Sequence, residues 1–175
     1  MFSYGGLTMR PVETSDLMWL KELRNDQTTW ENLLTIAPLT EEGQALWLKS
    51  LATNTKVKPY VALNEFGTRI GFIRTDEIDQ LNRSIRIGAD VERSFRGKGY
   101  GVKIYEMLLK YCFDYLNMHR VWLCVLDTNS VAIKLYNKVG FKSEGSMRHS
   151  IFRDGKYIDQ TVMSILENEY RDIQK

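Results

Sequence analysis

Cysteine, histidine and proline are scarce in this chain: two, two and three among 175 residues. Two thiols cannot make a disulfide framework. Neither Cys112 nor Cys124 stands at metal-ligand spacing from His119 or His149, so no metal centre is expected. Both cysteines fall in apolar stretches, with no base close in sequence, and read as small core residues rather than nucleophiles.

An excess of one charge is missing too. The 24 basic and 22 acidic side chains are interspersed and leave a formal charge of +2, so no chain-wide field points to nucleic acid or an anionic membrane. Apolar runs such as Val121–Leu126 end far short of the ~20 residues that cross a bilayer. The opening residues, Met1–Gly6, carry neither the basic region nor the apolar region of a secretory signal, and cytoplasmic residence is the expectation. No repeat, linker or low-complexity stretch is visible.

The residues present are those of a globular α/β chain. Hydrophobic residues make up 43%, enough for the core of one domain spanning 1–175. Leu7 to Val12 reads as a strand, Ser15 to Asn25 as a helix, and Glu41 to Ala52 as a second helix after Thr40, with Ala45, Leu46 and Leu48 inward. Strands follow at Tyr60 to Asn64 and Thr68 to Thr75, joined by an Asn-Glu-Phe-Gly turn. Ser84 to Val91 then alternates Ile85, Ile87, Ala89 and Val91 with polar residues, the period of a strand. Tyr100 to Leu116 is amphipathic, with Ile104, Leu108, Cys112 and Leu116 on one stripe.

Between that strand and helix lies Arg96-Gly97-Lys98-Gly99-Tyr100-Gly101. Glycines at alternate positions free backbone N–H groups to face an anion, and the helix N-terminus behind them adds its dipole. A nucleotide-hydrolysing P-loop is excluded, because Val102 stands where Lys and then Ser or Thr would be required, and the spacing departs from the dinucleotide fingerprint. A second motif follows the apolar strand Val121 to Leu126. In Asn129-Ser-Val-Ala132-Ile-Lys134-Leu-Tyr136-Asn-Lys-Val-Gly140-Phe141, Ala132 and Tyr136 lie one turn apart beside the apolar stripe, Asn129 can cap the helix and Gly140 stops it.

The two motifs together resemble the GCN5-related N-acetyltransferases. Arg96, Gly99 and Gly101 match that family's Gln/Arg-x-x-Gly-x-Gly/Ala loop, and Asn129, Ala132, Tyr136, Gly140 and Phe141 match its Asn-x-x-Ala-x-x-x-Tyr-x-x-x-Gly-Phe helix, in the family's order and spacing. The resemblance covers roughly residues 58–166, which would form the cofactor core, with 13–57 on the acceptor side. It implies a mixed, mostly antiparallel sheet of about seven strands, splayed between strands 4 and 5, with helices on both faces. It implies acetyl-CoA as cofactor: Ala89, Asp90 and Val91 holding the pantetheine arm, the Arg96–Gly101 loop including Lys98 and Tyr100 holding the pyrophosphate, Asn129 near the pantetheine, and Lys134 as an adenosine-phosphate contact.

In such an enzyme a primary amine attacks the acetyl thioester directly, with Tyr136 as the acid for the departing thiolate. Glu77 is the first candidate for the base, with Asp76 and His149 behind it and Glu31 joining from the N-terminal segment. The tail around Arg148–Asp159, with its Asp154-Gly155 turn, resembles the last hairpin of the branch acetylating ribosomal-protein N-termini, polyamines and nucleotide-linked amino sugars. Arg24 and Trp30 resemble acceptor-binding positions of the amino-sugar branch, which makes an amino sugar nucleotide or a protein N-terminal amine the expected acceptor, ahead of a polyamine. The alternative is a non-catalytic acyl-CoA sensor. Dimerisation through the last strands is a further expectation.

Overall fold

In a computed structural model, which describes residues 1–36 and 38–175, the chain forms one eight-stranded sheet with helices on both faces. The strands are β1 (Phe2–Tyr4), β2 (Leu7–Pro11), β3 (Lys58–Leu63), β4 (Arg69–Asp79), β5 (Ser84–Val91), β6 (Arg120–Leu126), β7 (Lys142–Arg153) and β8 (Lys156–Leu166). Their order across the sheet is β1-β2-β3-β4-β5-β6-β8-β7, and every neighbouring pair is antiparallel except β5 with β6. The helices are α1 (Leu17–Asn25), α2 (Gln27–Trp30), α3 (Glu41–Ser50), α4 (Tyr100–Lys110), α5 (Ser130–Lys138) and α6 (Glu167–Ile173).

Strand alternation sends successive residues to opposite faces, which gives two apolar clusters. Phe72 and Val61 pack with Leu20 and Leu23 of α1, while their neighbours Ile73 and Ala62 join Ile104, Leu108, Val121 and Ile165 in the larger core under α4. The Thr40 hydroxyl caps α3, accepting from the Gly43 amide at 3.1 Å. That helix is rotated from the expected face: Leu46 is largely exposed, and Gln44 is buried one turn before Leu48. The long expected helix from Tyr100 is α-helical only to Lys110, and Tyr111–Tyr115 continues as one wider π-type turn.

One interruption positions the site. The parallel pairing of β5 with β6 covers only Ser84, Ile85 and Arg86 against Arg120, Val121 and Trp122. Beyond Arg86 the strands part, so the backbone of Ile87–Val91 faces a gap rather than a neighbouring strand. The extra N-terminal strand β1 shifts the expected split from strands 4 and 5 to strands 5 and 6.

Candidate active site

The gap opens into a cavity of about 600 Å³. Ile87 to Val91 form one wall, Cys124 and Val125 of β6 another, Gly101 and Tyr105 of α4 with Tyr136 of α5 a third, and Arg24, Thr28, Thr29 and Asn32 to Thr35 roof it. The last of these contributions comes from the acceptor-side segment, so both expected halves meet here.

At its open end β5 runs through Glu92 and a single 3-10 turn, Arg93–Phe95, into the glycine loop. Gly97 and Gly99 adopt φ of 72° and 83°, the left-handed region in which a Cβ is penalised. The Gly97, Lys98 and Gly99 amides have no acceptor among the described residues, and α4 begins directly behind them. Gly101 acts differently: a Cβ there would come within 2.7 Å of Leu135 Cδ1, so a larger residue would make the Leu135 side chain shift where α4 meets α5. Free amides at a helix start fit a pyrophosphate, and the unpaired edge of β5 fits the amide-bearing arm of coenzyme A.

Tyr136 lines the cavity, and Tyr105 donates to its hydroxyl at 3.2 Å. Burial raises Tyr136 above its ordinary value near 10, opposed by the Tyr105 hydrogen bond and the charge of Arg74. Burial raises Tyr105 further still. Both phenols hold their protons throughout the neutral range.

Of the other expected positions, Ala89, Asp90, Val91, Arg96, Gly101, Asn129 and Arg24 line the cavity. Arg96 turns toward the roof rather than the loop: it donates to Thr28 Oγ1 at 2.7 Å and to the Val91 carbonyl at 2.9 Å. Asn129 caps α5, accepting from the Ala132 amide at 3.1 Å. Lys98 lies over the Phe95 ring, Tyr100 packs edge-on to Phe95, and Lys134 is exposed on α5.

Gly97 to Tyr100 and Lys134 lie outside the cavity lining, and so do four expected catalytic or acceptor positions. Glu77 sits in the β4 irregularity with φ of 48°, half exposed and 3.0 Å from Arg86, so it is an arginine-bound carboxylate at the rim. Glu31 is exposed and accepts from Gln27, and Trp30 lies off the lining. His149 is exposed on β7 in a separate surface hollow with Asp127 and Tyr157.

Several lining residues carried no mark in the sequence. Arg74 and Arg86 are polar members of alternating strands, and nothing in a strand's period tells a site arginine from a solvated one. Cys124, expected in the core, presents to the cavity; burial raises its thiol, and Arg86 lowers it. Cys112 is fully buried in the π-type turn that follows α4, its thiol pushed up to about 12.

A split sheet, a loop of free amides and a buried phenol at the split define an acyl-CoA-dependent transferase. Residues 6–142 match the Acetyltransferase (GNAT) domain family, and the chain belongs to that family. It is 28% identical over 165 residues to a spermidine N(1)-acetyltransferase of Vibrio cholerae, spanning 94% of this chain and 95% of that one. It is 30% identical over 104 residues to a putative ribosomal N-acetyltransferase, YdaF, of Bacillus subtilis, spanning 59% and 57%. A crystal structure of the Vibrio cholerae spermidine N-acetyltransferase in complex with CoA and spermine superposes with a TM-score of 0.91 at 25% identity, covering 96% and 99% of the two chains. The protein is an acetyl-CoA-dependent N-acetyltransferase.

Proposed function

We propose that the chain acetylates the primary amine of a small molecule within the β5–β6 split, using Tyr136 as the acid. Bound acetyl-CoA supplies the activated acetyl group. The β6-facing backbone edge of Ala89–Val91 and the Gly97–Gly101 amides hold it, and the segment 13–57 covers the amine. The observation that carries this reading is the Tyr105–Tyr136 pair: Tyr136 accepts from Tyr105 and keeps its own proton free for a departing sulfur at the cavity wall.

The amine must reach the thioester uncharged. The cavity's carboxylates, Asp76 and Asp90, are both engaged by arginine, which occupies the oxygens that a base would turn toward the amine. With Glu77 at the rim, water takes the ammonium proton in this reading. The names of the relatives make a polyamine the reference acceptor, ahead of the amino sugar nucleotide or protein N-terminus expected from sequence. The homodimer expected through the last strands would use the outer edge of β7, the terminal strand of the sheet, which is exposed along most of its length.

Acetyl-CoA should raise the melting temperature by RT ln(1 + [L]/Kd), and amines should then release free thiol at a rate dependent on both substrates. Stabilisation without thiol release from any amine would favour the acyl-CoA sensor and contradict the proposal.

A further inference from the structure

The roof of the cavity is tied to the glycine loop by one side chain. Arg96 is the last residue before Gly97, and it follows the 3-10 turn beyond the end of β5. Its Nε donates to the Val91 carbonyl at 2.9 Å, Nη1 to Thr28 Oγ1 at 2.7 Å and Nη2 to Thr29 Oγ1 at 2.5 Å. The whole guanidinium fork is thereby engaged by the end of β5 and the first turn of α2.

The network continues beyond the threonines. Thr28 Oγ1 donates to Asp26 Oδ1, so one hydroxyl connects Arg96 to a carboxylate that balances its charge. Asp26 stands at the N-terminal cap of α2, and its carbonyl accepts from the Thr29 and Trp30 amides at 2.9 and 3.0 Å. Thr29 is buried, and without Arg96 its hydroxyl would keep only a 3.5 Å contact with Asp26. Past α2 the Leu33 carbonyl takes a bond from Arg153 of β7. The roof is therefore held at two points, at Thr28 and Thr29 from the glycine-loop side and at Leu33 from the last hairpin.

We infer that Arg96 is a positioning residue that couples the two substrates: coenzyme phosphates on the Gly97–Gly99 amides fix Arg96, and Arg96 fixes the part of the roof that meets the amine. This rests on the acetyltransferase reading above and adds a coupling to it. The coenzyme then orders a segment that the amine would otherwise have to order for itself, which strengthens amine binding. By linkage the amine tightens the coenzyme by the same factor, commonly about fivefold or more. The path is contiguous, from loop to Arg96 to Thr28 and Asp26, and needs no change elsewhere in the sheet.

Hydrogen–deuterium exchange of residues 26–36, with and without coenzyme A, reads this link without an acceptor. Saturating coenzyme A should slow exchange of the Thr29 to Leu33 amides about fivefold or more in the wild-type chain. Arg96→Lys, which keeps the charge and loses the fork, should remove most of that slowing while the calorimetric coenzyme A Kd stays within about fivefold. Thr28→Val, on the roof side of the link, should do the same. Arg153→Gln should speed exchange at Leu33 in both states yet preserve the slowing by coenzyme A. A larger loss of coenzyme affinity in Arg96→Lys would put the guanidinium on the phosphates and overturn the inference. Full slowing in Arg96→Lys or Thr28→Val would mean direct cover by the coenzyme, and loss of slowing in Arg153→Gln would mean general loosening; either overturns it, as does a wild-type chain that binds coenzyme A with no slowing in the roof. A wild-type chain that fails to bind coenzyme A at all would instead sink the acetyltransferase reading itself.

Discussion

The Tyr105 hydroxyl donates to the Tyr136 hydroxyl across 3.2 Å, with Tyr105 almost fully buried beneath it. The pair joins α4 to α5 at the wall where the sheet splits. It fixes the direction of the proton: Tyr136, already accepting, points its own O–H elsewhere. An isolated tyrosine beside Leu135 would be only a packing aromatic. A second phenol beneath it makes it an oriented donor.

Tyr136→Phe should lower kcat by about a hundredfold or more, with the acetyl-CoA Kd within a factor of two, since only the transferring proton is lost. Stopped-flow thiol release with an independent calorimetric Kd separates these. Unchanged kcat would remove Tyr136 from the chemistry.

Tyr105→Phe should act more mildly, by roughly tenfold, and should also move the alkaline limb of the rate profile. The Tyr105 hydrogen bond lowers the Tyr136 pKa against the rise caused by burial, so its removal should push that limb upward. A downward shift would contradict the orientation of the pair.

Because the cavity's carboxylates are bound by arginine, kcat/KM should climb tenfold per pH unit as the amine loses its proton, up to the amine's own pKa, near 10.4 for an alkyl amine. A plateau near neutrality would reveal an internal base.

Asp16 is fully buried and takes Arg10 at 2.7 Å and Arg69 at 2.9 Å, pinning the start of α1 to β2 and β4. Burial alone would raise its pKa, but the arginines and the Glu13 amide prevail and lower it. A depressed folded pKa gives stability that is complete above the ordinary carboxylate range and is lost as pH falls through the folded value. Asp16→Asn should therefore cost about 3 kcal/mol at neutral pH and flatten the acid side of the stability profile. Denaturant melts from pH 7 downward check both.

Much of the fold was legible because its signals are local. The alternation of Ser84–Val91 gave β5 to the residue, and Thr40 marked the start of α3. The elements that escaped are short or polar. The strand β1 has three residues, α2 is Gln-Thr-Thr-Trp, and α6 spans seven residues after a long strand, each too brief to show a period. The two motifs that suggested a coenzyme site stood out for a similar reason: the glycine loop and the Asn129–Phe141 helix are each one contiguous stretch of chain. On the acceptor side Arg24 carried an expectation and Arg74 and Arg86 did not, because these two come from different strands and meet Arg24 and Asp90 only when β4, β5 and α1 are assembled. Glu77 looked available in sequence, and the β4 irregularity and Arg86 take it to the rim.

The most direct measurement uses the two cysteines as each other's reference. Cys124 faces the split and Cys112 is buried in the core, so a thiol-alkylating reagent followed by peptide mass spectrometry reads the site separately from global unfolding. If the coenzyme occupies the β5–β6 split, saturating acetyl-CoA should slow Cys124 alkylation at least tenfold, in step with calorimetric occupancy, while Cys112 stays unreactive. Unchanged Cys124 alkylation with acetyl-CoA bound would place the coenzyme elsewhere and contradict the account.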